Sequence, residues 1–183
     1  TKLHDATLRW LETVVFADPS DRRPVILLSH HQWFSAFDDR EYPAVGQALV
    51  PYLPHVALWF WGHEHRFAGY APYAPTGTPI RARCIGHGGM PVEVGSQVLR
   101  PSRQPVFIDE RQADVLDGEK IGFCGFASLR FAGPTVTVDY IDEQDRVLLT
   151  EQWSHTSAGL RGSVVLHTTD PAFRLIRPIS ALL

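Results

Sequence analysis

Two uninterrupted apolar runs, VILLS at 25–29 and VALWFW at 56–61, constrain the fold of this chain more than any other feature. A strand with one wet face alternates apolar and polar residues. A run without alternation reads as a strand buried on both faces, as in α/β proteins. The segments before the two runs read as helices. Leu3, Leu8, Leu11 and Val15 recur near the 3.6-residue period, which predicts an amphipathic helix over 5–15 with Asp5 as its N-cap. FADPSDRRP, residues 16–24, is turn chemistry. Residues 30–42 form a loop, Pro43 starts a second helix over 44–53, and Pro54 stops it. The first third therefore reads helix, strand, helix, strand, with the two strands buried.

The rest of the chain changes character. Residues 67–73, 79–86, 120–131, 135–142 and 146–153 are strand-like, with hairpin turns at Ala132-Gly133-Pro134 and Glu143-Gln144-Asp145. Residues 96–119 are a polar excursion holding a short strand at Val106–Ile108. GSVVLHTTD adds a last edge strand, and the apolar tail PAFRLIRPISALL docks on the body. The fold class is α/β, opening helix-strand-helix-strand and closing with a mostly antiparallel sheet. No repeat or linker divides residues 1–183, which read as one domain.

Composition removes several functions. The chain has 183 residues, is 44% hydrophobic and 20% charged, and carries a net charge of −3. That balance leaves no electrostatic footprint for nucleic acid or an anionic membrane. No apolar run approaches the roughly 20 residues that span a bilayer. TKLHDATLRWLE is no signal peptide, and the reading leans to the cytoplasm, although a first residue other than Met leaves the natural start open. Cys84 and Cys124 are 40 apart in strand-like runs and read as reduced thiols.

Nine histidines is high for this length, and their placement is informative. VILLS runs directly into His30-His31, and VALWFW into Gly62-His63-Glu64-His65-Arg66. In layered α/β folds chemistry collects beyond the carboxyl ends of strands. Gly-His-x-His arises by chance about 3% of the time in a chain with these glycine and histidine counts. A second histidine cluster after another buried strand strengthens the case for a metal site. Gly62 lets the backbone turn sharply, and Glu64 points away from the two histidines beside it. Gly86-His87-Gly88-Gly89 follows another strand and offers either backbone N–H groups to a phosphate or a plain sharp turn.

LLSHHQWF and Gly62-His63-Glu64-His65, each after a hydrophobic strand, resemble the last two motif blocks of the calcineurin-like metallophosphoesterases. The resemblance covers residues 1–95 well; residues 96–183 share only strand content. It implies one part of a layered α/β/β/α sandwich. It implies that His30 and His63 bind one metal and His65 a second, with His31 and Arg66 on the substrate side; His87, from its glycine turn, is a further substrate-binding candidate. It further implies two divalent ions (Mn, Fe, Zn, Co or Ni) that clamp a phosphate mono- or diester for in-line hydrolysis.

The family's Asp-x-His, Gly-Asp-x-x-Asp and Gly-Asn-His blocks are missing from this chain. The resemblance places them upstream of Thr1, in an N-terminal half that completes the domain. No catalytic residue is assigned within residues 1–183, and this piece alone is expected to be inactive. Three neutral imidazoles balance two dications poorly; Asp38, Asp39 and Glu41, in the loop after His30, are candidate stand-in carboxylates. An unpaired half also predicts an exposed apolar face and an oligomer formed through it. Two other readings stand beside this one. One is a mononuclear zinc hydrolase using His30, His63 and His65. The other is a non-catalytic, truncated or degenerate module.

Overall fold

The computed structural model describes residues 2–37, 41–89, 94, 99–114 and 120–183. Its framework is a mixed six-stranded sheet backed by a four-stranded antiparallel sheet, with a small two-stranded ribbon besides. The first sheet contains β1 (Val25–Ser29), β2 (Val56–Trp61), β3 (Phe67–Tyr70), β4 (Ala82–Ile85), β5 (Pro105–Asp109) and, near the C-terminus, β12 (Phe173–Leu175). β6 (Gln112–Asp114) and β7 (Lys120–Gly122) form the ribbon. β8 (Gly125–Ala132), β9 (Thr135–Asp142), β10 (Val147–Thr156) and β11 (Gly159–Leu166) form the second sheet. The six strands run in the order β1-β2-β4-β3-β5-β12, and the four in the order β11-β10-β9-β8. β1, β2 and β4 are parallel; β3, β5 and β12 join antiparallel.

β2 shows why its sequence does not alternate. Trp59 and Trp61 pack into a core shared with Phe34, Phe37, Val45, Leu49 and Leu53, on the helical side of the sheet. Leu58 and Phe60 point the other way, into a second core with Val138, Tyr140, Leu149 and Trp153 of the four-stranded sheet. Successive strand residues face opposite sides, so a strand between two cores needs apolar residues throughout.

VILLS departs from that expectation. β1 is the edge of the six-stranded sheet rather than a strand covered on both faces, and Leu28 is 69% exposed. The helices also differ in detail. The first is α-helical over Asp5–Trp10 (α1) and continues as a π-helix over Leu11–Val15, closed by Phe16 N–H donating to Leu11 O at 2.8 Å. Its N-cap is His4, with Asp5 inside the first turn, where a carboxylate still meets the positive end of the helix dipole. The second starts at Pro43 (α2, Pro43–Leu49) and tightens to a 3₁₀-helix over Val50–His55 that contains Pro54.

Both expected hairpin turns form, with Gly133 and Asp145 at φ of 56° and 59°. β11 is an edge strand, and the tail docks through β12 on β5 and through Leu182, which is fully buried. Residues 120–131 break into two strands at Phe123 and Cys124. Neither cysteine is oxidised, Cys84 being buried and Cys124 partly exposed. No helix among the described residues is long and apolar enough to cross a membrane.

Candidate metal centre

The site follows from strand register. β1 and β2 are parallel neighbours with Ser29 opposite Trp61, so the residues that follow them emerge side by side. His30 O accepts from Gly62 N at 3.2 Å and from His63 N at 2.8 Å, which extends the ladder one step past the strand ends. The imidazoles meet above it. His63 Nδ1 lies 3.0 Å from His30 Nε2, and the rings of His30, His31 and His63 sit 4.7–4.9 Å apart, centre to centre. One ring nitrogen from each lies within 4.8 Å of the others. His30 is exposed, while His31 and His63 are half-buried.

The supporting contacts are specific. Trp59 Nε1 donates to Ser29 Oγ at 2.8 Å, and Ser29 Oγ donates to His31 O at 2.8 Å, fixing the turn out of β1. Tyr42 Oη lies 2.8 Å from His63 Nε2, which leaves Nδ1 to face His30. Partial burial, and then the charge of His30, lower the His31 pKa and so favour its neutral, ligating form.

His30 Nε2 and His63 Nδ1, 3.0 Å apart, are spaced as two ligands of one divalent ion are, and a His31 nitrogen lies within 4.8 Å of the other two residues' ligand atoms. Metal–nitrogen bonds of about 2.0–2.1 Å put neighbouring ligand atoms about 3 Å apart. Tyr42 stands where a partner that orients a ligating imidazole belongs. Among the described residues no carboxylate joins the three histidines. Glu41 is occupied elsewhere: Arg103 Nε and Nη2 donate to its two oxygens at 2.7 and 2.9 Å, with Arg100 at 3.4 Å. Asp38 and Asp39 lie outside the described residues.

His65 is not brought into the cluster. Arg66 is 5% exposed, with its guanidinium carbon 3.9 Å from the centre of the Phe37 ring. His87 is 2% exposed and stacks on Phe67 at 4.8 Å and 6°, beside the core between the sheets. Burial pushes its pKa down to about 4.

The turn after β2 is held by Glu64, which the sequence points away from the histidines, and by partners the sequence does not single out. Glu64 is buried; one carboxylate oxygen accepts from Ser35 Oγ and the other from Trp61 Nε1 at 3.2 Å. The Cys84 thiol donates toward the carbonyls of Glu64 and Arg66, each at 3.3 Å. Gly86 packs so closely here that a Cβ would lie 2.0 Å from Glu64 O and 2.4 Å from Gly62 O. The signal for Glu64 was present: a carboxylate between two histidines, predicted to face the other way. Its partner Ser35 carries no signal at all. No family model matches the chain, and no curated protein matches it.

Proposed function

We propose that this chain carries the C-terminal histidine ligands of a metal-dependent phosphoesterase, acting on phosphate mono- or diesters. The observation that carries the reading is the pairing of His30 and His63, with ring nitrogens 3.0 Å apart at the ends of two adjacent parallel strands. When bound, divalent ions of the Mn, Fe, Zn, Co or Ni type would supply charge neutralisation of the ester and activation of water. His30 and His63 would hold one ion, with Tyr42 orienting His63. His31 would adjoin the ester as a hydrogen-bond donor or serve as a third ligand. Arg66 remains a candidate for anchoring substrate, and His65 for a second ion; His87, buried against Phe67, is held in the core instead. Carboxylate ligands would come from polypeptide pairing along the open edge of β1.

A second reading draws on the same cluster. Three histidines with no carboxylate among the described residues make a sufficient mononuclear zinc set, here His30, His31 and His63. Metal analysis of the full natural gene product separates the two, together with hydrolysis of p-nitrophenyl and bis-p-nitrophenyl phosphate. Two equivalents and turnover are expected for the dinuclear enzyme. One equivalent with turnover favours the zinc hydrolase. No metal and no turnover overturns both and leaves a non-catalytic module.

A further inference from the structure

We propose that Glu64 is a positioning residue, whose buried carboxylate clamps the two histidine-bearing loops together and so sets the metal affinity of the cluster. The inference rests on reading the cluster as a metal site. His30 and His31 belong to the loop after β1, and His63 to the loop after β2. Backbone bonds hold the β1 loop at His30 O and at Ala36 O, which accepts from Arg100 N at 2.8 Å; the further tie from this loop to the β2 loop is made by side chains. Glu64 is at its centre. Ser35, four residues past His31, donates to one oxygen; Trp61, the last residue of β2, donates to the other. Ser35 Oγ in turn accepts from Phe37 N at 3.0 Å, so the carboxylate holds a folded turn rather than a single side chain.

From below, the Glu64 backbone is fixed as well. Its carbonyl accepts from Arg66 N at 2.7 Å and from the Cys84 thiol. Burying a carboxylate is costly unless its lone pairs are satisfied. Here the groups that satisfy it come from the two segments whose separation decides whether His30 and His63 share an ion. Groups that bond a ligating side chain directly typically tune metal affinity 10–100-fold; Glu64 acts through the loops, so the low end of that range is expected.

The test is Co²⁺ titration of the full-length protein, followed by the visible ligand-field band, with thermal unfolding alongside. Glu64→Gln keeps the shape but removes one of the two acceptors. Ser35→Ala releases the loop while leaving Glu64 in place, and keeps the test open if the first variant fails to fold. Tyr140→Phe, in the core between the sheets, is the control for a purely structural loss. Both site variants are expected to bind Co²⁺ at least about 10-fold more weakly, with a shifted band, while the control matches the parent. Site variants that bind within twofold of the parent overturn the role of Glu64 and leave the metal reading intact. A parent that binds no Co²⁺, or binds it equally well as His63→Ala, overturns the metal reading and this proposal with it.

Discussion

At the scale of single residues, His87 shows how burial reassigns a side chain. Its ring lies flat on Phe67, and Gly125 leaves it room: a Cβ there would sit 2.7 Å from His87 Nε2. Burial lowers its pKa to about 4, with Asp109 working in the opposite direction. The unfolded chain titrates near 6.5. Above that pH the ring is neutral in both states and stability does not depend on it. As pH falls from 6.5 toward 4, the unfolded state takes up a proton that the folded state refuses, and stability is lost, by roughly 3 kcal/mol in all. Urea unfolding between pH 7 and pH 4 should show this slope, and His87→Phe, which preserves the stack, should flatten it. In the sequence, a histidine between a strand and two glycines looks the same whether it faces a phosphate or a phenyl ring. Only the neighbour that arrives from 20 residues upstream distinguishes them.

At the scale of elements, β1 and β2 are both short apolar runs, with opposite surroundings. β2 has a strand on each side and a core on each face. Among the described strands β1 has one neighbour, and its Leu28 is 69% exposed. Trp10 and Val14 of the first helix are exposed as well, at 53% and 63%. An apolar edge strand is a template for further pairing. Leu28→Lys should therefore change unfolding free energy by no more than about 0.5 kcal/mol, while lowering any self-association seen by sedimentation velocity. A large loss of stability in that variant would mean that Leu28 is covered. Burial on both faces was the natural inference from VILLS, because apolar continuity reports what a strand is built to be buried against. It does not report whether that neighbour lies within residues 1–183.

At the scale of the whole molecule, a buried ion pair joins the two sheets. Arg83 of β4 and Glu151 of β10 are fully buried; Nε donates to Oε1 at 2.7 Å and Nη2 to Oε2 at 3.0 Å. Tyr140 Oη and Trp153 Nε1 donate to the same carboxylate, at 3.0 and 2.8 Å. Arg83 also donates to Tyr70 O at 3.0 Å and to Leu182 O at 3.1 Å, tying in the C-terminal tail. Removing one partner strands the other charge in an apolar core. Glu151→Leu should cost about 3–5 kcal/mol; replacing both with Met removes the stranded charge but takes partners from Tyr140 Oη, Trp153 Nε1, Tyr70 O and Leu182 O, and should still cost about 1–3 kcal/mol for each group left unsatisfied. Equilibrium unfolding of the two variants measures the difference. Neither residue stood out in the sequence: Glu151 lies beside Gln152 in a strand that exposes polar groups, and Arg83 is a lone charge in a four-residue strand.

Much of this architecture was legible before any coordinates. VALWFW forms β2 with the expected ends, residues 135–142 form β9, and the turns at Gly133 and Asp145 close as expected. These features depend on local periodicity and turn chemistry, which a sequence states directly. The convergence of His30 with His63 was also foreseeable, because each follows a strand of the same type. Register, edges and burial were not. Whether His31 or His65 joins the pair, whether VILLS is covered, and whether Glu64 or Glu41 is free depend on contacts between residues 29–62 positions apart, such as Ser35 with Glu64 and Glu41 with Arg103. Such contacts obey no period along the chain, so only the tertiary structure decided them.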